Sequence, residues 1–234
     1  MDPMTADAAE ISRALTAADP LTWVITGDSI THGLVHTQGG RSYPEHLHEI
    51  VRGELGRVHD VVINTAISGW RIGQLLDDFD RRVATWRPQI VTLMIGTNDC
   101  VDDGVAPFVE PTEFAASVAT FVRRVREIGA IPVLQTPPAV DVPNAPERGR
   151  IAAFAQAVRD IAAAHDVILV DQFARFAEIG GERVPWGLLN DPFHPNATGH
   201  AALALELATV LGLDPQASRT LPKLRADVAA GRLG

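Results

Sequence analysis

A single cysteine, Cys100, stands in the 234 residues of this chain. One thiol cannot close an intramolecular disulfide, and it leaves a cysteine-based zinc site without its ligands. That scarcity fits a reducing compartment. Lysine is equally rare: of 20 basic side chains, all but Lys223 are arginine, which reads as codon usage rather than function. Positive charge is in deficit overall, 20 basic groups against 29 acidic ones for a net charge of −9. This argues against nucleic acid and anionic membrane surfaces as partners. No uninterrupted apolar stretch approaches the roughly 18 residues of a membrane-spanning helix, so no membrane span is expected. Residues 1–20 carry Asp2, Asp7, Glu10 and Asp19 and lack the basic-then-apolar pattern of a secretory leader. The expectation is a cytoplasmic protein, with a mature secreted form as the alternative. Internal repeats, low-complexity tracts and linker-like breaks are absent as well.

What is present is apolar material for a sizeable core, 46% of residues, with only 21% charged. Short β-branched runs recur: Leu21–Thr26, Val61–Ile63 within 58–64, Ile90–Ile95, Ala130–Leu134 and Val167–Val170. Runs without polar alternation suit strands buried on both faces of a parallel sheet. Between them, 43–55, 72–84, 112–128 and 148–164 place apolar residues at three- and four-residue spacing, as do 197–211 and a segment near the N-terminus. Strands alternating with helices imply right-handed crossovers and an α/β fold, a three-layer α/β/α sandwich. The expected organisation is an N-terminal helical extension over 1–20, one domain over 21–211, and a tail over 212–234 that packs back as a short helix or lies loose.

Ligands in open parallel sheets sit outside the carboxyl ends of the strands. The segments that follow the apolar runs are Gly27-Asp28-Ser29-Ile30, Asn64 through Trp70, Gly96-Thr97-Asn98-Asp99 and Gln135 through Pro138. Before the last main helix stands Asp191-Pro192-Phe193-His194-Pro195. Taken singly, each reads as an ordinary turn or cap. Taken together they converge on one rim, and each has a chemical use. A serine hydroxyl needs an adjacent base to become a nucleophile, and imidazole suits that task near neutral pH. Ser29 and His194 fill those roles, and Asp191, three residues before His194, can orient the ring. The backbone N–H groups of Ser29 and Gly69 and the side-chain amide of Asn98 are candidate oxyanion donors.

These blocks resemble those of the SGNH (GDSL-type) hydrolases, a large group of esterases and acylhydrolases. Gly27-Asp28-Ser29-Ile30 corresponds to the first block, with Ile30 where leucine is usual. Gly69 corresponds to the second, Gly96-Thr97-Asn98-Asp99 to the third and Asp191 to Pro195 to the last, and the likeness spans roughly residues 21–211. Ala66 and Cys100 depart from the usual pattern, and Cys100 reads as a small buried apolar residue. The resemblance implies a flavodoxin-like sheet of five parallel strands in the order 2-1-3-4-5. It also implies Ser29 as nucleophile, His194 as acid/base oriented by Asp191, an oxyanion hole of Ser29, Gly69 and Asn98, and no metal or organic cofactor.

The expected reaction is hydrolysis of carboxylic esters through an acyl-enzyme. An acyltransferase, thioesterase or lysophospholipase using the same triad is the alternative, and a non-catalytic binding module a more distant one. Metal chemistry would draw on His32, His36, His194 and His200 with Asp28, Asp99 and Asp191, whereas His46 and His48 do not share a helix face. Pocket walls are expected from 31–43, 99–111, 136–147 and 172–193, with Trp70, Phe108, Trp186 and Phe193 as substrate contacts. The absence of a long apolar loop favours short acyl groups, including acetyl esters of carbohydrates or small molecules.

Overall fold

Alternating strands and helices build a five-stranded, wholly parallel sheet in the order β2-β1-β3-β4-β5. The computed structural model describes residues 6–180, 186–213 and 218–231. The strands are β1 (Thr22–Gly27), β2 (Val61–Asn64), β3 (Ile90–Met94), β4 (Ile131–Gln135) and β5 (Ile168–Val170). Register runs directly across the middle of the sheet, Val24 pairing with Val91, Thr92 with Val133 and Leu134 with Leu169. The expected α/β class and strand order are thus those of the folded chain.

Period-two alternation within each strand divides the core in two. Trp23, Ile25, Ile90, Ile131, Val133, Ile168 and Val170 face one layer, packed under α1 (Ala6–Thr16), α3 (Tyr43–Glu49), α8 (Gln172–Gly180), α9 (Ala197–Val210) and α10 (Thr220–Gly231). Val24, Val91, Leu93, Leu134 and Val167 face the other, under α4 (Ile72–Asp77), α5 (Phe79–Arg82), α6 (Pro111–Glu127) and α7 (Ile151–Ala164). Burial on both faces holds for β1, β3 and β4. It fails for β2, which ends the sheet on one side, where Val61 is 48% exposed.

The helical pattern over 72–84 is not one helix. It breaks at Asp78 into α4 and α5 and ends in a 3₁₀ turn, Ala84–Trp86. Likewise α3 passes into a π-helical turn, Ile50–Glu54. Helix α8 occupies 172–180, where a pocket wall was expected; Phe176 and Ile179 are buried in the core. The rest of that wall, 181–185, lies outside the described residues, as do 1–5 of the N-terminal segment and 214–217 and 232–234 of the tail. Among the described residues, no helix is long and apolar enough to cross a membrane.

One glycine decides how the first strand delivers its loop. Gly27 ends β1 at φ +154°, and a Cβ there would lie 2.0 Å from the Met94 carbonyl oxygen of β3. Only glycine lets β1 press against β3 at the point where the chain turns into the short α2 (Ser29–His32).

Candidate active site

Ser29, Gly69 and Asn98 stand in the loops that follow β1, β2 and β3, and Asp191 and His194 in the turn before α9. Asp28 caps α2 by accepting from the Ile30 N–H at 3.0 Å, which presents Ser29 in the first turn. Backbone donors in a first turn have no partner within the helix, so the Ser29 N–H stays available. Asp28 is fully enclosed, and burial pushes its carboxyl up to about 7, the charge of Asp99 adding to the effect.

His194 reaches Ser29 from a distant loop. Its Nε2 lies 2.9 Å from Ser29 Oγ, and its Nδ1 lies 2.8 Å from Asp191 Oδ2. The turn that carries both is locally closed, because Asp191 Oδ1 accepts from the N–H groups of Phe193 and His194. Asn196 rivets that turn to the body. Its Oδ1 caps α9 through Thr198 and Gly199, while its Nδ2 donates to the carbonyls of Gly187 and Leu189. Burial disfavours a charged Asp191, but the hydrogen bonds from His194 and the turn outweigh it and hold the carboxyl below its ordinary range. Burial lowers the His194 imidazole; Asp191 opposes this, and the charges of His36 and Arg148 reinforce it. The ring is therefore neutral near pH 7 and able to accept a proton.

Gly69 takes φ +80°, with open space where a Cβ would stand. The loop after it is tied at two points. Asn98 Nδ2 donates to the Trp70 carbonyl at 3.0 Å, and Asp99 Oδ1 accepts from the Ile72 N–H at 2.9 Å. A cavity of about 620 Å³ opens beside Gly69 and Asn98, bounded by α4, residues 106–109 and the first turns of α6.

Of the aromatic residues expected around the site, Phe193 leans on the His194 ring with centroids 4.3 Å apart. The Arg148 guanidinium lies 3.4 Å over the Phe193 ring. Trp70 follows Gly69 and packs partly on the core, with Arg82 5.0 Å over its ring. Phe108 is exposed on the loop that borders the cavity, beneath Arg150. Trp186 is exposed on a 3₁₀ turn, Trp186–Leu188.

The residues considered for metal binding do not gather as a set. His32 bonds Ser68 on the surface, and His200 is buried, with its Nδ1 accepting from the Tyr43 N–H. Only His36, Asp191 and His194 bring donor atoms within 4.8 Å of one another among the described residues. Their geometry does not suit one ion. The two imidazoles are stacked with centroids 3.6 Å apart and planes 12° from parallel. Nitrogen lone pairs lie in the ring planes, so two nearly parallel rings cannot both aim at one metal at about 2.1 Å.

Sequence reasoning missed the stacking of His36 and the placement of Arg148. Neither carries a motif; His36 lies seven residues after Ser29 and reads as pocket wall or as a metal ligand, and Arg148 lies in a turn before α7.

The model of the GDSL-like lipase/acylhydrolase family matches residues 25–202. The chain belongs to that family. It is accordingly a carboxylic ester hydrolase of the SGNH type. An acetylxylan esterase of Geobacillus stearothermophilus is 26% identical over 207 residues, covering 82% of this chain and 94% of the relative. The crystal structure of an acetylxylan esterase from the same organism, Axe2, superposes with a TM-score of 0.74 at 24% identity, covering 85% of this chain and 97% of that one. An α/β hydrolase from the metagenome of Lake Arreo, Spain, gives 0.73 at 25% identity, over 84% and 97% of the two chains.

Proposed function

We propose that this esterase removes short acyl groups, acetyl foremost, from carbohydrate esters by a Ser29–His194–Asp191 acyl-enzyme mechanism. The observation that carries the reading is the unbroken relay from Ser29 Oγ to His194 Nε2 at 2.9 Å and from His194 Nδ1 to Asp191 Oδ2 at 2.8 Å. Ser29 Oγ bonds to the ester carbonyl carbon as its proton passes to Nε2. The carbonyl oxygen becomes an oxyanion that the Ser29 and Gly69 N–H groups and the Asn98 amide receive. Collapse breaks the bond to the alcohol, which leaves with the proton from Nε2. Water, deprotonated by the same nitrogen, then releases the acid and restores Ser29. Each step uses only groups of this chain and water.

The substrate class is supported by the cavity and by the acetylxylan esterase relatives. Beside Gly69 and Asn98 the cavity offers Arg71, Gln74, Asp77, Glu113 and Ser117, with Ile72, Val101 and Val109 between them. Mixed donors and acceptors around an apolar strip suit a polyhydroxyl alcohol better than a fatty chain. An acetyl group needs little room of its own.

The test is a p-nitrophenyl ester series from acetyl to long-chain acyl, together with acetylated xylo-oligosaccharides, on wild type, Ser29→Ala and Asp191→Asn. Turnover that falls with chain length, vanishes in Ser29→Ala and is highest in kcat/KM on the sugar esters is expected. A preference for long acyl chains, or Ser29-independent turnover, would remove this reading.

A further inference from the structure

His36 makes more contacts with the reacting groups than a pocket-wall residue requires. Its ring lies flat on His194, and its Nδ1 sits 3.5 Å from Asp191 Oδ2, the same oxygen that holds His194. One further bond fixes it: the Asn190 amide meets His36 Nδ1 at 3.3 Å, and Asn190 is itself held by Gln38 Nε2, which donates to Asn190 Oδ1 at 2.6 Å. The loop that carries it is built against backbone preference. Val35 at φ 60° and Gln38 at φ 51° flank it in the left-handed region, which costs non-glycine residues energy. A 3.5 Å approach to a shared carboxylate, a stacked ring and two strained neighbours converge on one side chain.

The physical need is specific. The hydrogen bond from His194 Nδ1 to Asp191 fixes one atom of the ring but leaves it free to pivot about that bond. A pivot swings Nε2 away from Ser29 Oγ, and a misplacement of about 1 Å can cost on the order of 10²-fold in rate. A flat ring stacked on the imidazole removes the pivot.

We propose that His36 is a positioning residue for the general base, clamping the His194 ring in the orientation that joins Asp191 to Ser29. The clamp rests on the reading of Ser29 as nucleophile and His194 as base. It also keeps one face of the imidazole dry. The other titratable and charged groups facing the pair are Asp191 on the same turn, Arg148 across Phe193 and His200 from α9. Removing His36 exposes the ring of His194 to water, which raises the imidazole's proton affinity.

The experiment measures kcat and KM on p-nitrophenyl acetate across pH for wild type, His36→Ala, His36→Phe and Ser29→Ala, with melting temperatures alongside. His36→Ala should lose about ten- to a hundredfold in kcat, with KM within about threefold. Its acid limb in kcat/KM should move to higher pH. His36→Phe keeps a flat ring and should recover most of kcat. A His36→Ala enzyme with wild-type kcat and an unmoved acid limb overturns the proposal. So does a His36→Phe enzyme that recovers no rate, because the stacked ring is then not what matters. Ser29→Ala with undiminished turnover would instead remove the underlying triad reading, whatever the His36 variants do.

Discussion

The side-chain amide of Asn98 donates to the main-chain carbonyl of Trp70 at 3.0 Å, so the same amide that faces the candidate oxyanion site also holds the loop that carries Gly69. An amide NH₂ has two donors, and one bond to Trp70 leaves the other for substrate. The third strand's loop thereby sets the position of the second strand's loop.

Asn98→Ala removes both functions. Loss of one oxyanion donor typically costs about 10²–10³ in kcat, and that range is the expected outcome on p-nitrophenyl acetate. The fold should persist, because Asp99 still anchors the neighbouring Ile72 N–H. Turnover within a few-fold of wild type would show that Asn98 does not meet the developing charge.

Behind the site, Asp28 and Asp99 are carboxyls pushed up by burial to about 7 and about 6. A carboxyl with a raised folded-state pKa stays protonated in the native protein after it has ionised in the unfolded chain. The folded state then binds more protons, and stability falls as pH rises from about 4 to about 7, levelling above that. Asp28→Asn removes this penalty while keeping an oxygen to cap Ile30. At pH 8 it should raise Tm by roughly 3–6 °C, corresponding to about 1–2 kcal/mol, with little gain at pH 4. Below pH 6.5 the half-buried His46 and the buried His200, lowered to about 4 and about 3, act in the opposite sense, so the difference between variant and wild type is the quantity to measure. Parallel Tm-against-pH curves for the two proteins would contradict the assignment.

Cys100 is fully buried, its Sγ donating to the Thr97 carbonyl, and burial pushes the thiol up to about 12. Thiolate is the reactive form, so the native protein should show no reaction with a disulfide reagent at pH 8 and one equivalent after unfolding. Cys100→Ala should keep its esterase activity. Rapid labelling of the folded protein that also abolishes turnover would give this thiol a role in the site.

Much of this was legible in the residues. Ile90 to Met94 and Ile131 to Gln135 carry apolar side chains at almost every position because both faces of a central parallel strand are covered, and that is visible without coordinates. The site blocks were equally plain, since Ser29, Asn98 and the Asp191–His194 turn each follow or precede a recognisable element. Asp191 and His194 owe their contact to a three-residue separation closed by two backbone hydrogen bonds, a local device.

Other features came only from the folded chain. The break between α4 and α5 at Asp78 interrupts an unbroken apolar pattern, and the exposure of Val61 follows from β2 ending the sheet. Neither leaves a mark in local composition, because both depend on what lies alongside. The same holds for His36, which lies 158 positions from His194 by number yet is stacked on its ring, and for Arg148, seated over Phe193. Hydrophobic periodicity and turn chemistry act over a few residues, and they determined the strands, the layers and the candidate site residues of this protein. Contacts between loops depend on how separate segments meet in space, and that meeting alone decided how the His194 ring is held.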